Sequence, residues 1–399
     1  MRFHVLGIGP IGSLVSHHLR RALSPDHSII LLYNLPRNAL HAPRAFHVET
    51  DGLLTTSTGF TAETFYDYGR LHISKEERAT HPETSIESLF VTSRAPATLH
   101  AVRKLAPRLS ANSTIVLIQN GLGVYDQLVE NVFRDPQQRP HFIFASSSHA
   151  MFVSKTSVRG PRLVHPTVGD IEFSIVPDPL GRDFEAGFLD ESLHPSERRP
   201  RLSDLAKPAG DPSFQRYRTL RNTVSALLLA EPLNARWKSM AHVQLALRRK
   251  LAVTSVIHPL SAILGCRNGD IFSIPPALRL AQRICQEASD VFGVQIREET
   301  KAWMVANGPE MRGALGAARL PRSLEQASLV SECMRVAEAS KGAISNMLSA
   351  VRHGRRTEID YLNGYLLKLG KSYGVPMPAN ATLYNLVRMR AAVPTDLMF

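Results

Sequence analysis

One feature constrains this chain more than any other. Immediately after the apolar run FHVL stands Gly7-Ile8-Gly9-Pro10-Ile11-Gly12, followed by IGSLVSHHLRRAL (11–23) with helix-spaced apolar positions. A G-x-G-x-x-G between a strand and a helix is the fingerprint of a dinucleotide-binding turn. Its first glycine permits the tight turn, its second lets backbone approach a pyrophosphate, and its third lets helix and strand pack closely. The free N–H groups and positive dipole of the helix start then face the phosphates. Gly7, Ile8, Gly9, Pro10, Ile11 and Gly12 are therefore the first candidate cofactor-binding residues.

The segments that follow keep the alternation. SIILLYN (28–34), SLFVTS (88–93) and STIVLIQN (113–120) read as buried strands, ATLHAVRKLAPRL (97–109) as a helix, and FIFASSSHAM (142–151) as a further strand of the same sheet. Strands alternating with helices predict a doubly wound parallel sheet. A dinucleotide site specific for NAD would carry an acidic residue at the end of the second strand. Here that place holds Asn34, with Arg37 close behind. An arginine with no carboxylate beside it suits a 2′-phosphate, so NADP (NADPH) is the expected cofactor, with Arg37 a cofactor-binding candidate. Arg44 is read as a surface charge.

From about residue 215 the pattern becomes helical, in segments such as ALRLAQRICQEASDVFGV, SLVSECMRVAEASKGAISNMLSAV and EIDYLNGYLLKLGKSYGV. The fold class expected is α/β plus all-α: an N-terminal Rossmann-type doubly wound parallel sheet followed by an all-helical C-terminal domain. The boundaries expected are 1–176 for the NADP-binding domain, 177–213 for a polar insertion or flexible loop rich in Pro and charge, and 214–399 for the helical substrate domain. At 399 residues the chain suits two domains.

Composition narrows the function classes. Cys266, Cys285 and Cys333 form no C-x-x-C pair, which leaves neither a disulfide framework nor a zinc ribbon, and no metal is expected. No apolar run is long enough to span a membrane. The net charge of +12 is spread over separate basic groups without interleaved aromatics, so no nucleic-acid partner is expected. His17-His18-Leu19-Arg20-Arg21 is read as helix rather than as a targeting leader. A cytoplasmic address is the expectation, without ruling out a mitochondrial one.

Lys250, Thr254 and His258 are spaced by four, which on a helix turns each successive member by about 40°. They share one polar strip amid Leu251, Ala252, Val253, Val256 and Ile257. A lysine buried on such a strip is a plausible proton donor. Lys238, in RWKSM, is the competing lysine.

Five motifs in order, GIGPIG, LIQNGLG (117–123), KLAVTSVIHPLSAILGCRNGDIF (250–272), RRTEIDYLNGYLL (355–367) and GVPMPANATLYNLV (374–387), together resemble the ketopantoate reductases (2-dehydropantoate 2-reductases). The resemblance implies NADPH-dependent reduction of a small keto acid, ketopantoate, to pantoate on the route to pantothenate and coenzyme A. It implies Lys250 as general acid, preferred over Lys238 because KLAV, HPL and RNG follow at the family spacing. Asn120 corresponds to an asparagine that contacts cofactor and substrate, and Glu358 to the carboxylate near the lysine and ligand. Asn268 corresponds to a substrate-binding asparagine. Departures from the family pattern are Thr254 and His258 where two asparagines are usual, Asn346 beside Ser345 where a substrate-binding serine is usual, and Arg94 in place of a lysine near the cofactor. Thr254, His258, Asn268, Ser345 and Asn346 are the substrate-binding candidates. The altered positions leave two alternatives: a reductase of another branched 2-keto acid, and a non-catalytic NADP-binding relative. A homodimer is left open.

Overall fold

The apolar runs of the N-terminal half become strands because each is buried on both faces. The computed structural model describes residues 1–65, 85–154, 162–188, 190–194, 196–206, 211–307 and 319–393. Its elements begin β1 (Arg2–Leu6), α1 (Pro10–Ala22), β2 (Ser28–Tyr33), α2 (Pro36–Leu40), β3 (Ala45–Thr50), β4 (Leu53–Thr58) and β5 (Phe60–Thr64). They continue with β6 (Ser88–Val91), α3 (Ala95–Leu105), β7 (Thr114–Leu117), α4 (Val124–Asn131), β8 (His141–Ser147), β9 (Ala150–Ser154), β10 (Arg162–Thr167) and β11 (Ile171–Ile175). After these come α5 (Leu202–Leu205), α6 (Phe214–Leu229) and β12 (Ala235–Trp237).

An eight-stranded sheet runs β12-β11-β8-β7-β6-β1-β2-β5. From β5 to β8 every pairing is parallel, and β11 turns antiparallel to β8. Read inward from β5, this is the doubly wound order, in which the strand order reverses beside β1. The glycine turn follows β1 and so lies at that switch point.

A second sheet, β4-β3-β10-β9, is an addition that the sequence pattern does not reveal. The run FIFASSSHAM divides accordingly: β8 stays in the main sheet, and β9 joins the second. Helix α1 packs against this second sheet as well as the first. Its basic end is structural: the Arg20 guanidinium donates to the carbonyls of His27, Leu23 and Ser24 and so closes the helix C-terminus.

The chain divides into two compact units, Met1–Gln119 with Val124–Val243, and Asn120–Gly123 with Gln244 onward. The sheet unit thus extends to Val243, beyond the boundary expected at 176. Helix α6, expected to open the helical domain, instead buries Tyr217, Leu220, Val224 and Leu227 in the core of the sheet unit, and Thr223 reaches Ser88 at 3.1 Å. The described residues of 177–213 are also anchored rather than loose. Arg182 pairs with Asp211 at 2.8 and 3.2 Å and lies over the Tyr217 ring, whose hydroxyl donates to Asp178. Phe184, Leu205 and Ala206 join the core.

The second unit is helical, with α7 (Met240–Leu264), α8 (Pro275–Asn307), α9 (Gln326–Ala339), α10 (Asn346–Arg352), α11 (Asn363–Tyr373) and α12 (Pro378–Ala392). The first turn of α7 belongs to the sheet unit and the remainder to this one. A buried polar chain ties four of these helices. Glu287 on α8 accepts the N–H groups of Ala379 and Asn380, closing the start of α12. The Asn380 amide donates to Glu287, and that of Asn363 donates to Asn380 and to the Ser255 carbonyl on α7. No helix among the described residues is long and apolar enough to cross a membrane.

Between α1 and the second sheet lies a group of buried histidines. His17 bonds Ser57 and Thr55, its ring sits 4.8 Å from that of His18, and His149 meets His165 at 3.0 Å. Burial, reinforced by His17 and His165, lowers the His18 pKa to about 3, and burial lowers that of His17 to about 4. Below pH 6.5 the unfolded chain takes up protons that these folded rings refuse, so stability falls as pH falls. Each such ring contributes a loss on the order of 2 kcal/mol by pH 5. Both ring nitrogens of His18 are buried without a partner, so His18→Leu should preserve stability at pH 7 and flatten the decline of the melting temperature between pH 7 and 5. An unchanged slope would show that His18 does not set it.

Candidate functional site

The three glycines of the cradle at the end of β1 have different surroundings. Gly7 has φ +103°, and a Cβ there would lie 2.3 Å from the Ser93 nitrogen. A Cβ on Gly12 would lie 2.2 Å from the Gly7 carbonyl oxygen, whereas one on Gly9 would meet nothing within 4 Å. Gly9 thus opens onto free space at the start of α1. Ser13 N bonds the Gly9 carbonyl and Pro10 has no N–H, so Ile11 and Gly12 are the donors of the first turn available to an anion.

Two side chains that the sequence pattern does not single out brace this cradle. The Thr92 hydroxyl donates to the Gly7 carbonyl at 2.6 Å, and the Gln119 amide donates to Ser93 O and Thr98 Oγ1. Their signal was positional, since each stands one or two residues beyond a strand end. Arg94 is half-buried and forms the N-cap of α3 in the loop after β6. Asn34 and Arg37 are exposed just past β2, with no carboxylate between them. An open Gly9 and free first-turn donors fit the pyrophosphate of a dinucleotide.

The strip on α7 has the surface the spacing predicts. From Lys250 to Leu260 only Lys250, Thr254 and His258 are half-buried, and every other residue is buried. Burial lowers the Lys250 pKa to about 8, against an opposing pull from Glu358. Burial, with the Lys250 charge, lowers that of His258 to about 4, so the imidazole is neutral at pH 7. The Thr254 hydroxyl donates back to the carbonyls of Lys250 and Leu251, at 2.7 and 3.1 Å. Its hydrogen is therefore used within the helix. Lys238 lies elsewhere, directly after β12, with its N–H bonded to Phe173 O.

Glu358 is buried at the start of the turn that precedes α11. The strand-end segment Asn120–Gly123 is fastened to this turn: Leu122 N donates to Tyr361 O at 3.0 Å. Gly121 has φ +84°, and a Cβ there would sit 2.7 Å from that same oxygen. Asn120 is thereby held in the unit that carries Lys250 and Glu358.

The remaining candidates are placed otherwise. Ser345 is buried as the N-cap of α10; its Oγ accepts from Leu348 N and from Ser261 Oγ. Asn346, the first residue of that helix, is exposed. Asn268 is buried, with its amide on Ser340 Oγ at 3.0 Å and its N–H on Ala343 O. Ser345 and Asn268 have structural bonds that compete with any ligand.

Comparison with known proteins accounts for this combination. Residues 3–173 match the family described as ketopantoate reductase PanE/ApbA, and residues 242–391 match its C-terminal counterpart. The chain belongs to the ketopantoate reductase family. A probable 2-dehydropantoate 2-reductase of Schizosaccharomyces pombe is 24% identical over 391 residues, covering 97% of this chain and 95% of that protein. The 2-dehydropantoate 2-reductase of Yersinia pestis is 27% identical over 304 residues, covering 76% of this chain and 74% of its own. Among solved structures, D-mandelate dehydrogenase with NADH and anilino(oxo)acetate superposes with a TM-score of 0.63 at 14% identity, covering 98% of both chains. Ketopantoate reductases are NAD(P)-dependent oxidoreductases, and both halves of the family pattern, sheet unit and helical unit, are present here.

The two glycine environments make opposite predictions. Gly9→Ala should leave the melting temperature unchanged and weaken NADPH binding, because its methyl enters open space where a pyrophosphate would approach. Gly121→Ala should lower stability by about 1–3 kcal/mol through its left-handed backbone alone. Thermal melts with and without NADPH separate the two effects.

Proposed function

We propose that the protein reduces 2-dehydropantoate (ketopantoate) to pantoate with NADPH, a step toward pantothenate and coenzyme A, with Lys250 as the proton donor. The observation that carries this reading is a half-buried Lys250 on a helix face flanked by buried residues, its charge supported by the buried Glu358 carboxylate. NADPH rather than NADH is supported by Asn34 and the exposed Arg37 past β2. When bound, the cofactor supplies the hydride.

The chain's own groups do the rest. The backbone N–H groups of Ile11 and Gly12 would hold the pyrophosphate, and Arg37 would hold the 2′-phosphate. The Lys250 ammonium donates a hydrogen bond to the keto oxygen and delivers a proton from Nζ as negative charge develops there. Glu358 keeps that amine protonated against the pull of burial. Asn120 orients the ligands through its amide.

A second reading, reduction of another branched 2-keto acid, is favoured by one specific observation. The Thr254 donor is used within its helix, and His258 presents a rigid ring with one donor and one acceptor nitrogen where the family has a shorter amide, so the reach of both groups differs from that of asparagine. The similarity to a structure holding an aryl oxo acid is in keeping with a fold that accepts varied substituents on C2.

Purified protein should oxidise NADPH with ketopantoate in saturable fashion, and Lys250→Ala should lower kcat by about 10²–10⁴-fold. The donor must be protonated, so kcat should fall as pH rises through about 8. A Lys250→Ala enzyme with wild-type turnover would remove Lys250 from the mechanism. Faster turnover on a different 2-keto acid would select the second reading.

A further inference from the structure

Helix α7 contains Pro259, one residue beyond His258. Proline has no N–H, so the carbonyl four residues earlier, that of Ser255, loses its helical partner. Ser255 is fully buried, where an unpaired carbonyl is not solvated. The structure fills the gap from another element: the Asn363 amide donates to Ser255 O at 3.0 Å. Asn363 is fully buried at the first position of α11, and it continues the segment that begins with Glu358. Its second amide hydrogen goes to Asn380 Oδ1 at 3.0 Å, and Asn380 is in turn held by Glu287. Both hydrogens of the one amide nitrogen are therefore committed, one to the helix of Lys250 and the other to the helix start that Glu287 closes.

We propose that Asn363 is a positioning residue: by supplying the hydrogen bond that Pro259 withholds, it fixes the register between the helix carrying Lys250 and the turn carrying Glu358. A backbone carbonyl within α7 is the right point of attachment for this task. It lies one residue past Thr254 and three before His258, in the middle of the strip, and it cannot rotate independently of the helix. Leaving the gap unrepaired would let the helix adjust at Pro259 to find another donor, carrying Lys250 and His258 away from Glu358. The inference rests on the reductase reading for its kinetic readout, and for that reason the test includes a readout without turnover.

The full-length enzyme would be compared as wild type, Asn363→Leu, Pro259→Ala and the double variant. Asn363→Leu should lower kcat by about tenfold or more, as for a misplacement of the reacting groups, with the affinity for NADPH unchanged. The rate of Lys250 acetylation by acetic anhydride, followed against pH by mass spectrometry, should shift in the same variant. A residue that merely stabilised the fold would move neither. Pro259→Ala restores a helical N–H to Ser255 O, so the double variant should recover most of the lost kcat and the wild-type acetylation profile. If Asn363→Leu does not fold, Asn363→Ser, whose hydroxyl is too short to reach, replaces it in the same comparison. Wild-type kcat and acetylation in the Asn363 variant, or a defect that Pro259→Ala does not relieve, would overturn the proposal. Should the wild type reduce no keto acid, the reductase reading fails, and the acetylation profile still decides the role of Asn363.

Discussion

An ammonium group set among apolar neighbours loses much of its hydration, and the helical unit is organised around making that tolerable for Lys250. Burial alone favours the neutral amine, and the Glu358 carboxylate opposes it. The carboxylate is itself buried, so it too needs a fixed position. That position comes from a short turn whose Tyr361 carbonyl is gripped by Leu122 N, which in turn requires Gly121 to approach without a side chain. Burial keeps His258 neutral, and the neighbouring Lys250 charge adds to the effect. A buried carboxylate partner thus requires a fixed turn, and the turn requires a glycine on a distant stretch of chain.

Much of this was legible because it rests on spacing. The strand, glycine turn and helix at residues 3–23 specify a doubly wound start, and four-residue spacing places Lys250, Thr254 and His258 on one face. The second sheet was not legible. Its strands include LLTTST, whose residues are mostly exposed, so no apolar run announces it. The stretch 177–213 misleads for a related reason. Asp178, Arg182 and Asp211 look like solvated loop charges, yet they pair with each other's surroundings around Tyr217. Whether a charge is partnered depends on residues far away in sequence, which periodicity does not report. Helix α6 carried a helical pattern, but pattern does not say which core a helix joins.

Several buried polar residues of the helical unit serve the backbone. Ser345 closes the start of α10, Glu287 closes the start of α12, and Asn363 answers the carbonyl left by Pro259. Each sits where a regular helix leaves donors or acceptors unmatched. Asparagine and serine recur in such places because they bond backbone groups at short range, which is also what makes them good ligands for a small acid. A motif rich in these residues therefore mixes two populations. Burial with a bond to a helix backbone marks the first, and half-burial on a shared face marks the second.

The path of the chain has a consequence for how such a protein can be taken apart or recombined. Residues Asn120–Gly123 belong to the helical unit, although the chain on either side of them belongs to the sheet unit. No single crossover point can exchange one unit for a relative's without splitting the other's packing. A chimera joined in α7 would bring a foreign Tyr361 against a native Gly121, and only parents matched at both positions would give a sound hybrid. The two units have separate cores but a shared inheritance, and substitutions in the strand-end loop must track those in the turn after Glu358.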